Sequence, residues 1–283
     1  MVTGALAACC LALSLWIAAD ARDDASSRAV SSAALAPHPP WAASRPHTRT
    51  ASAATPLAAC EARIEHGTHR VPTVAIVGAS YTAGVGPDNP RLSWAEGLAR
   101  SLHWNAVIYG VSGAGYVSAS ASGRGPMARM LDQEGLQKLG PALVIVQAGH
   151  DDVGVPAGLE WQRVGATVRL IRAAVPTAQI ALLTTFAVSP DGSPALWQTD
   201  QAIVSAATSA DPDVVIMDPL AGRWTYPHAG GGLHPTAAGD AWIARTVAAV
   251  LRAHGVLPAP VTSAAAVICD ISVGVGKPAN TTA

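Results

Sequence analysis

Four short stretches of this chain carry residues able to do chemistry. The first is Gly78-Ala79-Ser80-Tyr81-Thr82-Ala83-Gly84, a serine set among small residues. A hydroxyl on such a turn is exposed and the neighbouring N–H groups are free, and a nucleophilic serine needs both. Taken alone, Ser80 reads as a helix cap, the commoner role of serine between a strand and a helix. The second stretch is Gly110-Val111-Ser112-Gly113-Ala114-Gly115, whose glycines let the main chain approach a ligand and present N–H groups. The third, Ala148-Gly149-His150-Asp151-Asp152, packs ionisable side chains where a plain turn needs only one. The fourth is Gly231-Gly232-Leu233-His234-Pro235-Thr236-Ala237-Ala238-Gly239, in which Pro235 fixes the approach of a histidine just ahead of a helix. A lone loop histidine is ordinarily a solvated side chain. Together, a serine, an imidazole and main-chain N–H donors are the groups that nucleophilic catalysis uses.

These stretches work together only if one scaffold gathers them at one edge. Residues 73–77 (TVAIV), 106–109 (AVIY), 143–147 (LVIVQ), 180–184 (IALLT) and 214–217 (VVIM) are short apolar runs with the shape of buried parallel strands. Helical stretches separate them. Ser93 can cap a helix over 94–102, with Glu96 at its third position as in a capping box. Pro126 opens a helix through 139 that Gly140-Pro141 ends, and 159–174 is amphipathic and stopped by Pro176. Further helices are expected over 194–210 and 235–254. This alternation predicts an α/β fold with a parallel sheet covered on both faces. Ligands bind outside the carboxyl ends of the strands in such sheets. The four stretches follow the first, second, third and fifth strands.

In this order the four stretches resemble the sequence blocks of the SGNH (GDSL-like) hydrolases, over nearly the whole domain. SYTAG and HPTAAG are the specific parts. The resemblance implies a three-layer, flavodoxin-like fold with a five-stranded parallel sheet. It implies that Ser80 is the nucleophile and His234 its base, with the oxyanion held by the N–H groups of Ser80 and Gly113 and by position 151. Three polar positions depart from the family pattern. Ala79 replaces the Asp of the GDS turn. Asp151 replaces an Asn that donates to the oxyanion, and losing such a donor costs about 2.7–4 kcal/mol. Asp151 serves if Asp152 and burial keep it protonated; otherwise His150 or main-chain N–H groups take over. Gly231 replaces the acid that orients the histidine, a loss worth about 10⁴ in kcat in a serine-protease template. The Gly231 carbonyl is one substitute acceptor and Asp218 another, although Asp218 reads more simply as shaping its own loop. Asp240 lies past the helix start and should face away from His234.

The chain of 283 residues is half apolar and 13% charged, with net charge −1. It has no basic run or aromatic-plus-basic stripe, so nucleic acid is not an expected partner. No CxxC or HExxH spacing occurs in the mature chain, so no metal or other cofactor is expected. An apolar stretch from Ala5 to Ala19 followed by Ala19-Asp20-Ala21 reads as a signal peptide over 1–21, although no Lys or Arg precedes it. Residues 22–70 read as an Ala/Pro/Ser-rich linker, 71–257 as the hydrolase domain, and 258–283 as a tail. Cys9 and Cys10 leave with the leader. Cys60 and Cys269 remain, and in an exported protein a disulfide between them is expected, with two free thiols the alternative. The expected protein is a secreted or cell-envelope-associated serine esterase acting on small or glycan-linked acyl esters. The alternatives are a catalytically silent binding module of the same fold and a cell-envelope O-acyltransferase. Trp224 and Tyr226 can stack on a sugar ring, with loop packing the simpler reading. Oligomeric state is not readable from the sequence.

Overall fold

The computed structural model describes residues 56–65, 71–133, 135–188, 191–230, 232–257 and 266–273. In chain order the elements are α1 (Pro56–Glu65), β1 (Thr73–Gly78), α2 (Ser80–Ala83), α3 (Trp94–Leu102), β2 (Asn105–Gly110), α4 (Met127–Gln133), α5 (Leu136–Leu139), β3 (Leu143–Gln147), α6 (Ala157–Ala174), β4 (Gln179–Leu183), α7 (Pro194–Ala210), β5 (Val215–Met217), α8 (Ala237–Ala253) and β6 (Ile268–Asp270). The strands form one parallel sheet in the order β5-β4-β3-β1-β2-β6.

Side-chain alternation along each strand divides the core into two layers. Ala75 and Val77 of β1, with Val144 and Val146 of β3, pack with Met130, Val164, Val168 and Ile203 from α4, α6 and α7. Val74 and Ile76, with Leu143 and Ile145, pack with Leu98, Ile243 and Val247 from α3 and α8. β1, β2 and β3 are buried at every position, as strands covered on both faces must be. The helices start where their caps dictate: Ser93 accepts from the Glu96 N–H, Ser193 from Leu196 and Thr236 from Gly239.

The sheet has six strands rather than the five expected. β6 pairs with β2 through Ala106↔Ile268, Val107↔Cys269 and Ile108↔Asp270. Three residues are too few to show a period, so they read as tail. The stretch taken as linker contains α1, whose Cys60 is bonded to Cys269 with a Cα–Cα distance of 5.8 Å. The bridge is buried against Val107, with Ile64, Val267 and Ile271 around it. The rest of the expected linker, apart from this helix, and the expected leader lie outside the described residues. The helix expected over 126–139 is two, because Gly135 adopts a left-handed conformation between α4 and α5 (φ 60°).

The disulfide closes a loop spanning 209 residues of sequence, and links of this kind contribute about 2–5 kcal/mol through the unfolded chain. The double variant Cys60→Ser/Cys269→Ser should unfold in urea at a clearly lower midpoint with an unchanged sheet. An unaltered midpoint would show that β6 and α1 hold the edge without it.

Candidate active site

Ser80 stands at the first position of α2, directly past β1, and is 8% exposed. The turn that delivers it is tight because Gly78 has no side chain. A Cβ there would lie 2.2 Å from Thr82 Oγ1 and 2.9 Å from the Gln147 carbonyl oxygen. Gln147, the last residue of β3, holds the turn from the next strand. Its side-chain Oε1 accepts from the Ala79 N–H at 3.1 Å, the Thr82 N–H at 3.3 Å and the Thr82 hydroxyl at 3.0 Å. The sequence reading missed Gln147. Its only signal was a polar residue closing an apolar run, at a position buried to 1% exposure.

His234 comes from the loop ahead of α8. Its Nε2 lies 2.9 Å from Ser80 Oγ, across 154 positions of sequence. The main chain around it is clamped. The His234 carbonyl accepts the Ala229 N–H at 2.8 Å, and His228 and Pro235 form an antiparallel bridge. Gly86 lies flat against the opposite side, where a Cβ would sit 2.2 Å from the Pro235 oxygen and 3.0 Å from His234 Cβ. The Tyr81 hydroxyl donates to the Leu233 carbonyl and lies 3.2 Å from the Tyr226 hydroxyl. The Tyr81 ring stacks on Phe186, with centroids 4.2 Å apart and planes 4° from parallel. The Phe186 carbonyl faces His150 Nδ1 at 3.3 Å. A carbonyl only accepts, so Nδ1 of His150 carries a proton in this contact.

The loops after β2 and β3 flank Ser80, because β1 lies between those strands. Gly113 is left-handed (φ 80°), a conformation glycine adopts without strain. Among the described residues, the N–H groups of Ser80 and Gly113 donate to no other protein group. Asp152 is fully buried and organises the second loop. Its carboxylate accepts the Tyr116 N–H at 2.5 Å and the Ser118 N–H at 2.8 Å. A Cβ on Gly115 would collide with this carboxylate at 2.1 Å. Burial and the neighbouring Asp152 push the Glu160 carboxyl up to about 9, so at neutral pH it keeps its proton beside that carboxylate.

Sequence comparison matches the GDSL-like Lipase/Acylhydrolase family model to residues 76–242, which hold all four motif stretches. The chain belongs to this family. Three solved structures share the fold. One is a carbohydrate esterase family 2 enzyme with a carbohydrate-binding domain from Corynascus thermopiles (Myceliophthora fergusii), at TM-score 0.53 and 19% identity, covering 65% of this chain and 67% of that one. A second is a family two carbohydrate esterase from Clostridium thermocellum in complex with cellohexaose, at TM-score 0.52 and 19% identity, covering 66% and 65%. The third is a salicylyl-acyltransferase from a tetracycline biosynthetic pathway, at TM-score 0.54 and 19% identity, covering 68% and 57%. The chain thus spans about two thirds of the two esterases. No curated protein matches the sequence.

Set against the family pattern, the departures acquire structural meaning. Gln147 supports the turn in which Ala79 stands for Asp. Asp218 is engaged in its own loop, where Oδ1 accepts the Ala221 N–H at 2.7 Å, and among the described residues it makes no hydrogen bond to His234. Asp240 is buried and accepts the Trp94 N–H at 2.8 Å, so it holds the start of α3 and not the imidazole. Gly231, with the carbonyl expected to orient His234, lies outside the described residues. Burial raises the Asp151 carboxyl above the ordinary range; Asp152 adds to this and His150 opposes it. Trp224 and Tyr226 pack edge-on against Phe186, with Tyr226 buried, so their aromatic faces serve the loop's packing.

Burial, aided by the nearby His150, holds the His234 imidazole below its usual 6.5. A general base must be unprotonated, so a depressed value would keep His234 competent in the expected role of base to lower pH. The acid limb of the kcat/KM profile on a short ester should therefore have its midpoint below 6.5, and a midpoint at or above that value would contradict the burial argument.

Proposed function

We propose that this chain is a serine acyl-ester hydrolase that works through a Ser-His pair. The 2.9 Å contact between Ser80 Oγ and His234 Nε2 carries this reading. Ser80 attacks the ester carbonyl carbon as His234 Nε2 takes the hydroxyl proton, and the N–H groups of Ser80 and Gly113 receive the negative oxygen. His234 returns the proton to the departing alcohol. Water, deprotonated by the same imidazole, then releases the acid and restores the serine.

Small or carbohydrate-linked acyl esters are the proposed substrates. Membership of an acylhydrolase family and a fold shared with carbohydrate esterases support this choice. We further propose export to the cell envelope or beyond, supported by the apolar N-terminal stretch and by a disulfide suited to an oxidising compartment. Transfer of the acyl group to a glycan hydroxyl would use the same serine intermediate, and the fold shared with an acyltransferase favours keeping this second reading.

Fluorophosphonate should label the purified chain at Ser80, and Ser80→Ala should abolish both labelling and p-nitrophenyl acetate cleavage. Undiminished turnover by the variant rejects the assignment, and a chain that never labels is a binding module. Products formed with an added glycan acceptor separate hydrolysis from transfer. Asp151→Asn installs a neutral donor where the chain has a carboxyl. It should raise kcat by about tenfold or more, and a fall in kcat would mean that Asp151 has a role of its own.

A further inference from the structure

Position 231, where the family pattern places an acid that orients the histidine, is Gly in this chain. Asp218 and Asp240 are committed elsewhere, Asp218 accepting the Ala221 N–H of its own loop and Asp240 the Trp94 N–H at the start of α3. Tyr81, the residue after Ser80, instead reaches the His234 loop directly. We propose that Tyr81 is the positioning residue for His234, fixing the imidazole through the Leu233 carbonyl.

The arrangement follows from a few contacts. A carbonyl has no proton, so the Tyr81 hydroxyl donates to Leu233 O, and the Tyr226 hydroxyl 3.2 Å away must donate to Tyr81. Leu233 O belongs to the peptide that precedes His234, so anchoring it sets the backbone from which the imidazole projects. The ring that carries the hydroxyl is itself fixed: Tyr81 is 1% exposed and stacked on Phe186. It also touches the imidazole, with ring centroids 5.5 Å apart. Because Tyr81 and Ser80 are adjacent on α2, the nucleophile and the anchor of its base move as one unit. Ala229, Pro227 and Gly86 also restrain this loop, and the Tyr81 bond ties its main chain to the helix carrying Ser80. An acid would act on the imidazole itself. Tyr81 acts one peptide earlier, through position alone.

This inference rests on the Ser80–His234 reading above, and the test separates the two. Tyr81→Phe in the full chain removes one oxygen and keeps the stacked ring. The rate constant for fluorophosphonate labelling and kcat on p-nitrophenyl acetate should both fall, by about ten- to a hundredfold, because misplacing a reacting group by about 1 Å costs that much. KM should stay within about twofold, and the labelling end point should still reach one probe per chain. Tyr226→Phe, which removes only the outer hydroxyl, should fall less. A purely structural role predicts fewer labelled chains at an unchanged rate per chain, and that result overturns the proposal. So does a Tyr81→Phe kcat within about twofold of the parent while Ser80→Ala is inactive. An active Ser80→Ala would instead overturn the hydrolytic reading beneath it.

Discussion

A serine hydroxyl and an imidazole 154 positions apart meet at 2.9 Å, and the rest of the molecule can be understood as what keeps them there. Neither side chain is long, so neither can search for the other. The contact exists only if two main-chain segments are fixed to within a fraction of an ångström. On the serine side the restraint is the sheet itself: β1 is central, its neighbours are buried throughout, and Gln147 from β3 ties down the turn with three hydrogen bonds. On the histidine side no strand is available. The loop is pinned through Ala229, Gly86 and Leu233, and only then does the Thr236 cap begin α8.

Several acids of this chain hold structural posts. Asp152 shapes the glycine-rich loop, Asp240 holds α3, Asp218 closes its own turn, and Asp211 pairs with Arg172 at 2.6 Å. Most of these accept main-chain N–H groups, the kind of bond that fixes geometry. His234 is left with a pKa depressed by burial, His150 adding to the shift. In an acid-supported triad the carboxylate both orients the ring and stabilises the imidazolium that forms. A carbonyl anchor achieves the first and not the second. As the proposed base, His234 therefore stays ready to lower pH, and its cationic form gains less from its surroundings.

Much of this was legible in the sequence, for reasons that differ by element. β3 and α7 run over the residues expected because an apolar run or a Ser-Pro start ends abruptly on either side. Ser80, Gly113 and His234 stood out because polar or glycine residues at strand ends do work that a plain turn does not need. What escaped has a common cause. β6 is three residues long and is defined by its partner β2, not by its own pattern. α1 lies in an Ala- and Pro-rich stretch of low amphipathicity, and its burial depends on a cysteine 209 residues away. The roles of Gln147 and Tyr81 reside in bonds to residues 65 and 152 positions distant. No local window contains such a bond, and a single polar or aromatic residue does not announce its partner.

The three departures from the family pattern also make sense when their charges are considered together. The proposed acyl transfer would develop negative charge on a substrate oxygen beside Ser80. Two unit charges 4 Å apart interact by about 4 kcal/mol at an effective dielectric of about 20, so every ionised carboxylate near that oxygen opposes the reaction unless it also performs a task. The family pattern places acids at positions 79 and 231, and this chain has Ala and Gly there. It has gained one carboxyl, Asp151, whose ionisation burial already disfavours. Gln147 and Tyr81 serve the two vacated places with neutral groups, an amide oxygen and a hydroxyl. Exchanging two full charges for two dipoles lowers the negative field around the oxyanion.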